Sequence, residues 1–281
     1  IHRILYTYIE TVEDLSFLNE ELLEKSYLGV DTEFRRTTKD NMRLALLQIN
    51  DGEEIYLIDT ILIDHQENVS DFLFSNDVTK IFHSCKEDLE AVYSWTGRIM
   101  ENIFDTQLAN AFIDGQYSIG YQGLVEERLD IILDKNETRS NWIRRPLTES
   151  QLNYAASDVQ YLIHLFEELQ KELVESKKID WLYEDLQSLV SSTFEPLSTS
   201  IETRSKISKN EEINLLNKFN EIVINVSTRE KINSTLLFSK KNQKDFIRVA
   251  LGKGLEEAFQ TITLWRKELI QDSVKSLLLQ Y

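Results

Sequence analysis

The sequence contains little of several residue types whose abundance would define a protein class. The single cysteine, Cys85, excludes a disulfide scaffold and a cysteine-rich zinc site. Only 8 Gly and 2 Pro occur, which excludes collagen-like and Pro/Gly-rich low-complexity chains. No apolar run approaches the about 18 residues of a membrane-spanning helix, and no secretory signal opens the sequence. We therefore expect a globular protein of a reducing, cytoplasmic compartment without a membrane partner, and the initial Ile1 leads us to expect further residues upstream.

Acidic residues outnumber basic ones, but unevenly along the chain. The whole sequence has 31 Lys and Arg against 48 Asp and Glu, a net charge of −17. Residues 1–170 hold 14 basic and 32 acidic residues, a net −18, whereas residues 204–281 hold 14 and 9, a net +5. An acidic part followed by a mildly basic one suggests two modules with different roles. The positive balance of the second suits contact with an RNA backbone, and a protein-binding or purely structural use is the open alternative.

The first half alternates strand and helix patterns. Apolar strand patterns cover residues 3–9, 27–34, 43–50, 54–59 and 80–83, and an amphipathic helix pattern covers 14–25. Asp51-Gly52 lies between two of the strands and predicts a hairpin. Ser84 and Glu87 match a capping box at the start of a helix. Strands alternating with helices, plus a hairpin, predict an α/β domain with a mixed sheet.

The second half is predicted to be helical. Thr148 and Gln151 form a second capping-box pattern, and one long helix is expected to follow it. Its apolar positions recur at helical spacing: Leu152, Ala155, Ala156, Val159, Leu162, Ile163 and Phe166. Residues 190–212 are rich in Ser and Thr and contain Pro196, which predicts a linker. Two further helical stripes beyond it predict an all-helical tail, the first at Leu215, Leu216, Phe219, Ile222, Val223 and Val226, the second at Ile270, Val274, Leu277 and Leu278.

Two carboxylates end the first long strand pattern. Asp31 and Glu33 are two residues apart, so on a strand both side chains point to the same face. Side by side they repel each other, which raises at least one pKa unless a cation binds between them. A solvated strand end is the alternative interpretation of these two residues.

Three more residues extend this pattern. Asp88 lies in the first turn of the helix predicted after Ser84, where the helix dipole alone would favour an acid. Tyr154 and Asp158 are four residues apart, so they share a face of the long helix. Asp158 also lies among apolar neighbours, which distinguishes the pair from the alternative of an ordinary surface Tyr–Asp contact.

A basic cluster precedes the long helix. It comprises Arg139, Arg144 and Arg145, and Trp142 lies within it. Arginines can bind phosphates and an indole can stack on a base, so these four residues are candidate RNA contacts. The alternative is a solvated loop whose charge offsets nearby acids.

Four carboxylates and one tyrosine in this order fit a metal site for phosphodiester hydrolysis. The pattern is D-x-E on a strand, an Asp about 55 residues later and Y-x3-D about 65 residues after that. Hard oxygen ligands suit Mg²⁺ or Mn²⁺. Two such ions about 4 Å apart can activate a water molecule and stabilise a leaving oxygen.

With these motifs in place, the sequence resembles ribonuclease D, in the Tyr-containing branch of the DEDD superfamily of 3′→5′ exonucleases. The resemblance covers nearly all of residues 1–180. It rests on DTEFRRT (31–37), LALLQI (44–49), LIDT (57–60), HSCKEDLEA (83–91), FDTQLANAF (104–112), SIGYQGLVEE (118–127) and LDKNETRSNWIRRPLTESQLNYAASDVQYL (133–162).

The resemblance implies a role for each of the five site residues. Asp31 would bridge two metal ions, and Glu33 and Asp158 would complete the shell of the first. Asp88 would hold the second ion, partly through water. Tyr154 would donate its hydroxyl to the attacking water and orient it, because a phenol with a pKa near 10 is a poor base at neutral pH.

The resemblance also implies a fold, a domain order and an activity. We expect a ribonuclease-H-like exonuclease domain at 1–189, a linker at 190–212 and a small helical domain at 213–281 that resembles the helicase-and-RNase-D C-terminal (HRDC) module. The implied activity is removal of nucleotides from RNA 3′ ends, with tRNA precursors as expected substrates. Two alternatives stay open at this point: a catalytically silent RNA-binding scaffold and a DNA 3′-end exonuclease.

Overall fold

The chain forms two compact units. A computed structural model describes residues 4–38, 41–65, 68–133, 140–195 and 207–280. The first unit comprises residues 1–107 and 119–171, and the second comprises 108–118 and 172–281. The second unit thus begins before the predicted boundary at 189.

The first unit is built on a mixed sheet, as predicted, and the sheet has six strands, one more than the five strand patterns of the sequence. The strands are β1 (Thr7–Ile9), β2 (Tyr27–Thr38), β3 (Asn41–Asn50), β4 (Ile55–Ile58), β5 (Thr79–Phe82) and β6 (Ile103–Asp105). Their order is β1-β4-β3-β2-β5-β6. β3 is antiparallel to both β2 and β4, and the other neighbouring pairs are parallel. β2 therefore lies inside the sheet, where both of its edges are paired.

Twelve helices occur in the described part of the chain, together with a short 3₁₀ turn at Asp71–Leu73. They are α1 (Val12–Leu23), α2 (Lys86–Thr96), α3 (Thr106–Phe112), α4 (Tyr121–Leu129), α5 (Glu149–Gln160), α6 (Leu162–Glu175), α7 (Ile179–Phe194), α8 (Lys209–Glu230), α9 (Ser234–Leu237), α10 (Lys240–Lys253), α11 (Leu255–Phe259) and α12 (Leu264–Leu278). By these bounds, both ends of the predicted linker, 190–194 and 209–212, are helical, and residues 196–206 lie outside the described residues.

Central strands form because their residues are apolar on both faces. Residues 44–50 of β3 are all buried, which suits a strand covered by helices on either side. The predicted hairpin connects β3 to β4, where Gly52 adopts a positive φ of 93° and Asp51 accepts hydrogen bonds from the N–H groups of Glu53 and Glu54. This turn fixes the register of β3 against β4.

The predicted long helix after Pro146 is divided. The capping box of Thr148 and Gln151 is present at the start of α5, as predicted. Tyr161, however, leaves the helical conformation with φ −110° and ψ 3°, so α5 ends and α6 begins one residue later. The apolar periodicity continues through the break because both helices bury the same stripe, including Val159 and Leu162.

The second unit is all-helical over its described residues, as the tail was predicted to be. Leu215, Phe219 and Val223 are buried along α8, and Ile270 and Val274 are buried along α12. These are positions of the two predicted stripes.

Helix α7 belongs to this second unit because its side chains pair with α12. The Trp181 and Trp265 rings stack 5.2 Å apart, and the Arg266 guanidinium binds both carboxylate oxygens of Asp185 at 2.6 and 2.7 Å. The Lys178 ammonium, just before α7, donates to the carbonyls of Phe112 and Lys231. These contacts place the unit boundary before α7.

Among the helices of the described residues, none is both long enough and apolar enough to cross a bilayer.

Candidate active site

Three of the predicted site residues meet at the middle of the sheet. Asp31 and Glu33 lie on β2, opposite Gln48 and Leu46 of β3, and Asp158 lies near the end of α5. Each offers a carboxylate oxygen, and these oxygens all lie within 4.8 Å of one another. The predicted common face of Asp31 and Glu33 is therefore present, and α5 adds a third carboxylate to it.

Tyr154 lies one helical turn before Asp158. Its hydroxyl donates a hydrogen bond to the Asp158 carboxylate. The Trp142 ring lies beside the Tyr154 ring, with their centroids 6.1 Å apart, and Trp142 is only 5% exposed. Trp142 thus supports the tyrosine from the protein interior, which leaves little of its indole for stacking on a base.

Asp88 approaches the same strand from α2. It is buried, and its Oδ1 accepts a 2.6 Å hydrogen bond from Oγ1 of Thr32, the residue between Asp31 and Glu33. Its charge raises the pKa of Asp31 and of Glu33, which brings it into the same electrostatic cluster. Asp88 therefore interacts electrostatically with the two acids of β2, while the three clustered carboxylates are those of Asp31, Glu33 and Asp158.

The start of α2 is held differently from the prediction. Ser84 adopts a positive φ of 65° and forms no capping box, so that prediction is wrong. The two residues before α2 are instead held by Asp105, at the end of β6, which accepts the N–H groups of Ser84 at 3.1 Å and Cys85 at 2.8 Å. This role of Asp105 was not predicted from the sequence, although its position as an acid between an apolar strand and a helix was an available signal.

Burial raises the pKa of every carboxylate in the site, and for Asp31 and Glu33 the neighbouring carboxylates add to it. For Asp31 and Glu33 burial is the largest cause, followed by the neighbouring carboxylates, and both pKa values lie well above the usual range. Burial raises the pKa of Asp88 to about 7, although the Thr32 hydrogen bond opposes it. Burial also raises the pKa of Asp158 to about 7 against the hydrogen bond from Tyr154.

This donor set fits a divalent cation. The three clustered side chains present only oxygen donors, which Mg²⁺ and Mn²⁺ prefer. Their negative charges repel one another in a partly buried place, and a bound cation would offset that repulsion. The Tyr154 hydroxyl stays protonated, because burial and then the Asp158 charge raise its pKa.

The basic cluster separates into residues of different environments. Arg144 is exposed. Arg145 is largely buried, with 16% of its side chain exposed, and it pairs with Asp59, whose side chain is fully buried. Arg139 lies outside the described residues.

All five N–H groups of the Arg145 side chain are used within the protein. Nε and Nη2 bind the two carboxylate oxygens of Asp59 at 2.5 and 2.8 Å. Nη1 donates to the carbonyls of Trp142 and Arg144, and Nη2 also donates to the Ala45 carbonyl. Ala45 is the extra residue of the irregularity in β3 opposite Glu33 and Phe34. Arg145 therefore supports the strand beside the site and has no N–H left for a phosphate, which corrects its predicted RNA contact.

Comparison with known proteins places these motifs in one family. The family model described as "3′-5′ exonuclease" matches residues 6–174, more than half of the chain. Ribonuclease D of Pseudomonas paraeruginosa is 41% identical over 185 residues, which are 65% of this chain and 49% of that protein. Ribonuclease D of Escherichia coli is 37% identical over 177 residues, 63% of this chain and 46% of that protein. The chain thus spans about half the length of the curated relatives it matches.

Solved structures agree on the fold. The crystal structure of Escherichia coli RNase D, described as an exoribonuclease involved in structured RNA processing, covers 99% of this chain and 75% of its own, with a TM-score of 0.66 at 23% identity. Brucella melitensis NrnC covers 62% of this chain and 85% of its own, with a TM-score of 0.57 at 25% identity. A structure of NrnC with bound Mg²⁺ has a TM-score of 0.58 at 23% identity, covering 72% of this chain and 99% of its own.

The raised carboxylate pKa values predict how the stability of the metal-free protein depends on pH. Between the unfolded pKa values near 4 and the folded values of about 7 for Asp88 and Asp158, the folded state binds more protons than the unfolded chain. The stability due to these protons is present at low pH and is lost as pH rises through about 7. In EDTA, we therefore expect Tm to fall between about pH 5.5 and pH 8, and Mg²⁺ to restore it at the higher pH.

Thermal unfolding of two variants checks this expectation. Asp158→Asn removes one of the repelling charges and should flatten the fall in Tm, whereas Asp180→Asn, at an exposed position of α7, should not. If Tm depended on pH equally in both variants and the parent chain, the site carboxylates would not be the cause of the fall in Tm.

The same substitution at two neighbouring arginines should change the free energy of unfolding by very different amounts. Arg145→Gln leaves Asp59 as a buried carboxylate without its cation, so the free energy of unfolding should fall by about 3–5 kcal/mol. Arg144→Gln at the adjacent exposed position should change it by less than about 0.5 kcal/mol. Denaturant unfolding measures both values, and similar losses for the two variants would refute the structural role of Arg145.

Proposed function

The chain belongs to the 3′–5′ exonuclease family, and from that premise we propose that it is a metal-dependent 3′→5′ exoribonuclease of the ribonuclease D type. The observation that carries the proposal is the cluster of Asp31, Glu33 and Asp158, with their oxygens within 4.8 Å and the Tyr154 hydroxyl bonded to one of them. A scaffold without catalytic activity would have no need to hold these repelling carboxylates together.

Each carboxylate has a proposed place in the metal site. Asp31, Glu33 and Asp158 would hold one ion, and Asp88 together with Asp31 would hold a second. The proposed ions are Mg²⁺ or Mn²⁺, which when bound supply Lewis-acid activation of a water molecule and stabilisation of the leaving 3′ oxygen. The charge of Asp88 raises the pKa of Asp31, which supports placing Asp88 near the second ion.

Tyr154 is proposed to orient the attacking water. Because its pKa is raised, its hydroxyl is a hydrogen-bond donor at neutral pH rather than a base. Its anchoring by Trp142 and Asp158 fixes the direction of the phenol. A fixed donor reduces the entropy lost when the water is aligned with the scissile bond.

RNA contacts outside the carboxylate cluster are proposed from charge and position. Arg144 is exposed and is the proposed phosphate contact among the described arginines of the basic cluster, and Arg139 stays a proposed contact. The helical segment 213–281 is proposed as an HRDC-like module; the net +5 of residues 204–281 suits contact with an RNA backbone. Maturation of tRNA 3′ ends in the cytoplasm is the proposed setting, and the single cysteine is compatible with that reducing compartment.

The central test of the proposal is nucleotide release from defined 3′ ends. A single-stranded RNA with a free 3′ hydroxyl and a tRNA precursor should both be shortened from the 3′ end in Mg²⁺ or Mn²⁺, and EDTA should abolish release. A DNA of the same sequence and a circular RNA serve as controls. Faster attack on the DNA would favour a DNA 3′-end exonuclease, whereas cleavage of the circle or full activity in EDTA would refute the proposal.

The two proposed roles predict unequal losses from two isosteric substitutions. Asp31→Asn removes a ligand that both ions would share, so it should be the more damaging change. Tyr154→Phe removes an orienting hydroxyl but no ligand, so it should lower kcat by about 10²-fold. Single-turnover assays with a short RNA, with exposed Tyr117→Phe as the matched control, measure both losses. Equal inactivity of the two variants with normal metal binding by Tyr154→Phe would contradict an orienting role.

A further inference from the structure

The break between α5 and α6 lies directly behind the metal-site carboxylate of Asp158. The apolar pattern predicts one continuous helix, yet Tyr161 departs from helical geometry three residues after Asp158. Sharp helix breaks have identifiable causes, such as a proline or an inserted side chain. No proline occurs between residues 147 and 195, so the cause lies elsewhere in the fold.

The Tyr121 hydroxyl is inserted into the helix at this point. It donates to the carbonyl of Ser157 at 3.1 Å and accepts from the N–H of Tyr161 at 3.0 Å. In an unbroken α-helix these two backbone groups, four residues apart, bond to each other. The hydroxyl therefore bridges the pair and keeps both groups satisfied while the helix opens.

Asn50, at the end of β3, supports the break from a second direction. Its Nδ2 donates to the carbonyls of Val159 and Gln160 at 3.0 and 3.1 Å. Its Oδ1 accepts the N–H of Gly52 at 2.9 Å, which fixes the direction of the amide. The carbonyls on both sides of Asp158 are thus bound by side chains from other elements.

Tyr121 is itself held in place at the start of α4. The His83 ring contacts the Tyr121 ring edge to face, with the centroids 5.9 Å apart. The carbonyl of Ile119, two residues earlier, lies 2.9 Å from His83 Nε2 and accepts a 2.9 Å hydrogen bond from Gln107 Nε2. Because the loop before α4 is fixed, the phenol cannot follow the helix if the hydroxyl is removed.

We propose that Tyr121 is a positioning residue for Asp158: its hydroxyl opens the last turn of α5 and thereby sets the carboxylate beside Asp31 and Glu33. This inference rests on the proposed function, because it assigns Tyr121 to the geometry of the same metal site. Tyr121 touches neither the cluster nor the proposed substrate through any described hydrogen bond. Its effect passes through the backbone of residues 157–161.

Tyr121→Phe tests the proposal, with direct Mn²⁺ binding as the first measurement. Removing the hydroxyl either closes the turn or leaves Ser157 and Tyr161 without partners, and both outcomes displace Asp158. Loss of a residue that orients a metal ligand typically costs about 10- to 100-fold in affinity or activity. We expect the Mn²⁺ dissociation constant to rise about 10-fold and kcat on a short RNA to fall by a similar factor, with KM changing less than about 3-fold.

Tyr27→Phe is the matched control. Its hydroxyl, on β2, donates to Oε1 of Glu167 on α6 at 3.3 Å, so the substitution removes one hydroxyl contact to the helix beyond the break. This variant should retain the Mn²⁺ affinity and kcat of the parent chain. Retention of both by Tyr121→Phe as well would overturn the inference.

A double-mutant cycle with Asp158→Asn separates positioning from general destabilisation. If Tyr121 acts through Asp158, Tyr121→Phe should cause no further loss of residual Mn²⁺ affinity in the Asp158→Asn background. An equal further loss there would overturn the inference. If Tyr121→Phe does not fold, Asn50→Ala loosens the same break from β3 and should weaken Mn²⁺ binding similarly, and unchanged binding by that variant would count against the inference.

Failure of the inference can be distinguished from failure of the proposed function. If the parent chain neither binds Mn²⁺ nor shortens RNA, the proposed function fails. If the parent chain does both while Tyr121→Phe equals it, only the positioning role of Tyr121 fails.

Discussion

Repulsion among carboxylates that share a partly buried place is the constraint on which the rest of this site depends. Asp31, Glu33 and Asp158 bring their oxygens within 4.8 Å, and Asp88 adds its charge from α2. Such a cluster opposes folding, because each negative charge loses water and gains repelling neighbours. The fold resists this by placing the acids on elements that are anchored independently: a strand paired on both edges and two helices whose ends are fixed from outside.

Helix ends provide that anchoring, and in both helices the partner comes from another part of the chain. Asp105 binds the N–H groups of Ser84 and Cys85 and so fixes the chain just before the turn of α2 that carries Asp88. Tyr121 holds the last turn of α5 open next to Asp158. A helix end held by a side chain from a rigid neighbour moves less than an end that depends on its own sequence. This is what a site of mutually repelling ligands requires, because any freedom would let the carboxylates separate.

These partners explain how much of the structure could be predicted from sequence. Three predicted features depend only on residues within four positions of each other, and all three are present. They are the shared strand face of Asp31 and Glu33, the i, i+4 pair of Tyr154 and Asp158, and the capping box at Thr148. The predictions that were wrong, or features that were missed, depend on distant partners. The Asp105 side chain that holds the start of α2 is 21 residues from Ser84, and the Tyr121 hydroxyl at the break after α5 is 36 and 40 residues from its two backbone partners. Local periodicity does not predict such contacts, because it indicates only which face of a helix or strand is buried.

The arginines before α5 illustrate the same limit for charge. Arg144 and Arg145 are adjacent and identical in type, yet Arg145 forms an ion pair with Asp59, 86 residues earlier in the chain. The positive charge that this loop can offer to RNA is therefore smaller than its composition suggests, while residues 1–170 carry a net −18. The negative charge of such a surface repels an approaching phosphate backbone before any direct hydrogen bond can form. Under the proposed function, cations at the carboxylate cluster would then serve the approach of RNA as well as its hydrolysis, because they lower the same negative potential that the fold must tolerate without them.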